Sequence, residues 1–284
     1  MPTAVVTDST AELGLARADR LGVTVVPLQV IVGDEAFEEG APEVTPERIA
    51  EALRQKRAVS TSRAAPAHFA ELYQALADQG ATSILSVHIS SQVSGTFESA
   101  QAGARSSPVP VRCLDSRQIG PATGFAVESA VAALAAGGDL DDAYDAASAR
   151  AATCRTLLYV DTLEYLRRGG RVSNTAALVG GALAVKPLLG VEDGLIVPVA
   201  RVRTSAKAIA RLRSLALESA EGPVEAFVAH LDATERAETF AASLREELGD
   251  RLVGEVRCQE IGAVLGAHVG PGMVATCIAP VLDR

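Results

Sequence analysis

The sequence has no tryptophan and two methionines, and aromatic side chains make up only 4% of its 284 residues. A core must therefore be built from alanine, valine and leucine. Apolar residues at 48% supply enough for one large domain or two ordinary ones. Positive charge is also short: 26 Lys and Arg against 35 Asp and Glu leave a net charge of −9. That excludes a sequence-independent grip on nucleic acid, which needs excess Lys and Arg to displace counterions. The four cysteines, Cys113, Cys154, Cys258 and Cys277, are far apart and form no CxxC pair. They read as buried free thiols in a reducing compartment. Neither cysteines nor histidines have ligand spacing, so no metal site is expected. No apolar run approaches the roughly 18 residues of a membrane-spanning helix. The opening "MPTAVVTDST" lacks the basic start and apolar stretch of a signal peptide. These absences point to a cytoplasmic protein with no stable membrane insertion and no nucleic-acid partner.

What is present is an alternation of β-rich and helix-period runs. "TAVVTD" reads as a buried strand, and "VTVVPLQVIV" as an extended run bent at Pro27. Thr45-Pro46 is a helix start running to about Arg57, and a second helix spans about Pro66 to Asp78. Strands "SILSVHI" and "VRCLD" are each followed by a helical run, the second from Pro121 towards Ala136. This order predicts a parallel sheet covered on both faces. After about residue 155 the pattern changes. "KPLLGVEDGLIVPVAR" is a hairpin about Asp193-Gly194, followed by helix, strand, helix and two terminal β runs. The expected fold is α/β in two domains: residues 1–155 as a parallel-sheet α/β domain, and 156–284 as an α+β domain with a mixed or antiparallel sheet.

Parallel sheets collect ligands at the carboxyl ends of their strands, where helix N-termini present free N–H groups. "SSQVSGT" falls at such an end and supplies Ser90, Ser91, Ser94 and Thr96, with Gly95 allowing a ligand to approach the backbone. "STS", Ser60 to Ser62, precedes the Pro66 helix in the same way. Taken singly, each is an ordinary helix cap. Taken together, they have the composition of an anion cradle. Ser94 lacks the preceding glycine of a nucleophile elbow. Lys186 in "GGALAVKP" is followed by Pro where a phosphate loop needs Ser or Thr.

The second half adds "TLEYLRRGGRVS" and "GAHVGPG". A glycine C-cap with cations on the helix dipole accounts for Arg167 and Arg168 but leaves Arg171 without a role. His268 is expected in a glycine-rich turn between β runs. "ARVRTSAKAIARLRS" carries Arg201, Arg203, Lys207, Arg211 and Arg213 with no acid among them, a basic patch in an acidic chain.

"TDST", "STSRAAP", "HISSQVSGTF", "LEYLRRGGRVS", "VKPLLGV" and "HVGPG" occur in the order found in the DegV family of bacterial fatty-acid-binding proteins, which the chain resembles from about Thr3 to Met273. One departure is visible: Arg63-Ala64 stands where family members often carry Gln-Pro, while Thr61-Ser62 is intact. The resemblance implies two α/β domains with a long-chain fatty acid in a buried apolar tunnel between them. Thr61 and Ser94 would hydrogen-bond its carboxylate, with Ser62, Gly95 and Thr96 in the same cradle. Arg171 and His268 would form the surrounding polar network. It further implies no cofactor and no catalytic residue of its own. The bound acid would be presented to a separate ATP-dependent kinase subunit for acyl phosphate formation. The basic patch at Arg201, Arg203 and Lys207 is the expected docking surface for that acidic partner. The competing readings are a serine hydrolase using Ser94 and His268, and a carrier of another amphipathic carboxylate.

Overall fold

The computed structural model describes residues 2–172 and 186–282. In chain order the strands begin with β1 (Thr3–Asp8), β2 (Val23–Val26), β3 (Gln29–Val32), β4 (Glu35–Glu38) and β5 (Val59–Ser62). Then come β6 (Ser83–His88), β7 (Val111–Asp115), β8 (Arg155–Tyr159), β9 (Lys186–Glu192) and β10 (Leu195–Val202). The last three are β11 (Val224–His230), β12 (Arg257–Glu260) and β13 (Val274–Pro280). The helices begin with α1 (Leu15–Leu21), α2 (Pro46–Arg54), α3 (Pro66–Asp78), α4 (Thr96–Ala104) and α5 (Pro121–Ala135). They continue with α6 (Leu140–Thr153), α7 (Glu164–Arg168), α8 (Ser205–Glu218), α9 (Thr234–Leu248) and α10 (Ala263–Val269).

Two compact units divide the chain. Unit 1 comprises Met1–Gln29 and Thr61–Ala152, and unit 2 comprises Val30–Ser60 and Thr153–Arg284. Unit 1 is built on a parallel sheet in the order β2-β1-β6-β7. β1 and β6 are buried almost end to end, as parallel strands covered on both faces must be. On one face Val5, Val87 and Leu114 pack with Leu13, Ala126 and Ala147. Helix α5 is apolar over most of its surface and comes so close that a Cβ on Gly124 would lie 2.5 Å from the Ala11 carbonyl oxygen. On α3, Phe69 and Tyr73 are fully buried, and a Cβ on Gly103 of α4 would lie 2.7 Å from Phe69 Cβ. The strand order reverses direction between β1 and β6, so their carboxyl ends open the crevice where such sheets take ligands.

Unit 2 carries a mixed six-stranded sheet, β10-β9-β8-β13-β11-β12, while β4, β3 and β5 form a separate three-stranded sheet. Only β11 and β12 pair in parallel within the larger sheet. The β9–β10 turn has Asp193 at φ 51° and Gly194 at φ 82°, the left-handed pair of a type I′ hairpin. Leu157, Leu188, Leu212, Phe240, Leu244 and Ile278 form the core beneath α8 and α9.

Four expectations require revision. Residues 1–155 do not form one unit, because Val30–Ser60 joins the C-terminal part. Arg54 pairs with Asp232, and Val264 N–H donates to Glu39 Oε1 at 2.7 Å. Helix α2 ends at Arg54 rather than about Arg57, because Lys56 turns left-handed (φ 58°) and Arg57 N–H closes onto the Ala52 carbonyl. His268 lies in the last turn of α10, not in a turn between strands. The cysteines are all free, but only Cys154 and Cys277 are buried, and Cys258 is exposed.

Candidate functional site

The loop after β6 is shaped by its own hydroxyls. Ser90 is buried, and its N–H donates to the Gln118 carbonyl at 2.9 Å. Its own carbonyl accepts the N–H groups of Val93 and Ser94. Ser91 gives its N–H and hydroxyl to Asp115 at the end of β7, which also accepts the Arg117 N–H. Register explains the meeting: His88 lies opposite Asp115, so both strands end at one edge. With Ser90 and Ser91 committed, Ser94 and Thr96 are left at the start of α4. Their oxygens are 2.8 Å apart, and the half-buried Ser94 Oγ also accepts the Thr96 N–H at 3.3 Å. Gly95, the N-cap, brings no side chain to satisfy the first turn.

Thr61 and Ser62 close β5 and are half-buried. The next residue, Arg63, lies across Gly95, bringing Thr61 and Ser62 to the "SGT" loop within unit 1.

Arg171 and His268 belong to unit 2, where both approach Gly169. Arg171 Nη1 donates to the Gly169 carbonyl. A Cβ on Gly169 would lie 2.5 Å from His268 Nδ1. Since Gly169 has an ordinary φ of −75°, space rather than conformation calls for glycine there. Burial, followed by the charge of Arg171, lowers the His268 imidazole to about 4. It is neutral near pH 7 and a weak base, a poor partner for a serine nucleophile. Ser94 is bonded instead to Thr96. Ser173, at the end of the "RRGGRVS" motif, lies outside the described residues.

One cluster escaped the sequence reading. Asp8 Oδ2 accepts from His88 Nδ1 at 2.9 Å, His88 Nε2 meets Ser86 Oγ at 2.7 Å, and Tyr73 OH donates to Ser86 Oγ at 2.8 Å. The connectivity is that of an Asp–His–Ser triad, yet all of these side chains are fully buried. No substrate reaches them, so the chain is structural. The available signal was Ser86 and His88 two apart on one strand face, beside a strand ending in Asp8. Burial pushes the neighbouring Cys113 thiol up to about 11, which keeps it protonated and unreactive.

A cleft of about 740 Å³ in unit 2 borders Pro271 and Gly272. Its charges satisfy one another: Arg54 pairs with Asp232, and Arg236 with Asp161 and the Gly272 carbonyl. Such a wall suits no acyl chain. Of the basic stretch, Arg211 pairs with Glu218 and Arg213 with Glu247. Arg203 and Lys207 are exposed and make no ion pair among the described residues. Among those residues, no three His, Cys, Asp or Glu side chains gather to hold a metal, and no helix is long and apolar enough to cross a membrane.

A family model described as "Uncharacterised protein, DegV family" matches residues 2–281. A DegV domain-containing protein of Streptomyces coelicolor is 47% identical over 97% of this chain and 98% of its own. Among solved structures, a DegV family protein from Thermus thermophilus, described by its fatty acid binding, superimposes with a TM-score of 0.90 at 31% identity. That match covers 99% of this chain and 100% of the other. DegV from Bacillus subtilis, described as a fatty acid binding protein, gives a TM-score of 0.88 at 31% identity, covering 98% and 99%.

Proposed function

The chain belongs to the DegV family, and from that premise we propose that it binds a long-chain fatty acid with the carboxylate held at Ser94–Thr96. The observation that carries this is the half-buried Ser94 hydroxyl at the start of α4, whose N-cap Gly95 has no side chain. Helix N-termini favour anions, and a carboxylate would accept from hydroxyl and amide together. Thr61 and Ser62 are proposed as further donors from the adjoining segment. For Arg171 and His268 the support is their motif position and their convergence on Gly169, and they are proposed as part of the polar surroundings of the bound acid.

The energetics divide the work. A carboxylate removed from water costs several kcal/mol unless donors meet it. Each buried methylene contributes about 0.8 kcal/mol, so ten give roughly 8 kcal/mol before ordering costs. The head group therefore selects and orients, while an apolar tunnel holds the tail.

Native mass spectrometry of protein purified from a bacterial host should show a co-purifying fatty acid. Ser94→Ala should lower its affinity by about tenfold or more, the loss of one hydrogen bond to a charged group. An empty wild-type protein that hydrolyses acyl esters would sink this reading, and a different co-purifying carboxylate would redefine the ligand.

The proposed role is presentation: the bound acid is offered to a separate ATP-dependent kinase subunit that makes the acyl phosphate. Arg203 and Lys207, exposed beside Arg201, offer a docking surface for an acidic partner. Reversing both to Glu should slow acyl phosphate formation by the reconstituted pair by tenfold or so, chiefly through association, while fatty acid retention stays unchanged. Unaltered rates across a salt series would remove these residues from the interface.

A further inference from the structure

Gly95 is not glycine for conformational reasons. Its φ of −79° is open to any residue. What the missing side chain provides is room, and Arg63 fills it. A Cβ on Gly95 would lie 2.2 Å from Arg63 Nη1 and 3.0 Å from both Cδ and Cζ. The stem and the guanidinium thus lie flat across the glycine, flanked in sequence by the Ser94 and Thr96 hydroxyls. Arg63 is exposed and has no ion pair among the described residues. Asp115, which anchors that loop through Ser91, also accepts the Arg117 N–H.

We propose that Arg63 is the cation of the cradle and a specificity-determining residue: it makes this chain select a carboxylate over a neutral head group on the same alkyl chain. The proposal rests on the fatty-acid reading and deepens it. Hydroxyls and helix N–H groups favour an acid over an alcohol only through dipoles and partial charges. A guanidinium discriminates directly, because its planar fork matches the two oxygens of a carboxylate. Being exposed, it should act in a salt-dependent way.

The probes are hexadecanoate and hexadecan-1-ol, bound to the delipidated full chain at low and high salt. Wild type should prefer the acid. Arg63→Gln should weaken hexadecanoate binding by about tenfold at low salt, leave the alcohol nearly unaffected, and flatten the salt dependence. Gly95→Ala supplies a second route. The atoms it meets are the end of a flexible side chain, so the variant should fold and push the guanidinium aside. Its cost for hexadecanoate should then be large in the wild-type background and small in Arg63→Gln. If Arg63→Gln keeps wild-type affinity and salt dependence, this inference fails while the fatty-acid reading stands. If wild type binds neither probe, both fail together.

Discussion

Replacing Asp8 with alanine should remove roughly 3 kcal/mol or more of stability from unit 1, the cost of leaving several buried donors without their acceptor. The carboxylate is fully buried and accepts from His88 Nδ1, from the Ile89 N–H at 3.1 Å, and from both the hydroxyl and the N–H of Thr10. Its removal strands those donors without water to take them. The consequences extend to the loops. Thr10 lies in the turn after β1, and Ile89 is the residue before the Ser90–Gly95 segment, so the same carboxylate ties together the two strand ends flanking the crevice. The check is a urea titration read by peptide-level hydrogen exchange in β1 and β6. An unchanged midpoint would show that the network tolerates an orphaned histidine.

The same group sets an acid limit. Burial alone would raise the Asp8 pKa, but the hydrogen bond and charge of His88, with Thr10 and the Ile89 N–H, outweigh it and hold the carboxyl below its ordinary 3.8. A depressed carboxylate contributes stability that is full above the unfolded value and lost as pH falls through the folded one. Unit 1 should therefore lose this contribution below about pH 4, and Asp8→Ala should flatten the acid limb of a pH–stability profile.

Features set by local rules were legible from residue order. Helix α3 begins at Pro66 and ends at Asp78 as its periodicity predicts, because proline at the first turn needs no partner beyond its own segment. The β9–β10 hairpin is declared by Asp193-Gly194, whose left-handed conformations suit few other pairs. What was not legible depends on distant partners. Helix α10 forms with Glu39 accepting the Val264 N–H, a contact 225 residues away along the chain. Val30–Ser60 follows the same logic, since its β runs look identical whichever unit receives them. At the site, hydroxyl density marked the Ser90–Thr96 loop. It could not show that Ser90 and Ser91 would be spent on Gln118 and Asp115, or that Arg63 would settle over Gly95. Those facts belong to register and packing.

Packing also explains why two separated glycine motifs sit together in unit 2. Gly270 has φ +75°, and a Cβ there would fall 2.0 Å from Cδ2 and 2.3 Å from Cε2 of Tyr165, the aromatic residue of "LEYLRRGGR". Unlike an arginine tip, a ring met at its near edge cannot swing away without moving α7. Gly270→Ala should therefore cost roughly 2–4 kcal/mol, the sum of left-handed strain and overpacking. It should also loosen the end of α10 that carries His268, because the Gly270 N–H closes that helix onto the Gly266 carbonyl. A control separates the two causes. Gly254 has the same φ of +75°, with nothing within 4 Å of a built Cβ. Gly254→Ala should cost only the conformational part, about 1 kcal/mol. The difference between the two denaturation midpoints then measures the Tyr165 contact. Equal midpoints would mean that the ring yields freely and that the two motifs are not locked through Gly270.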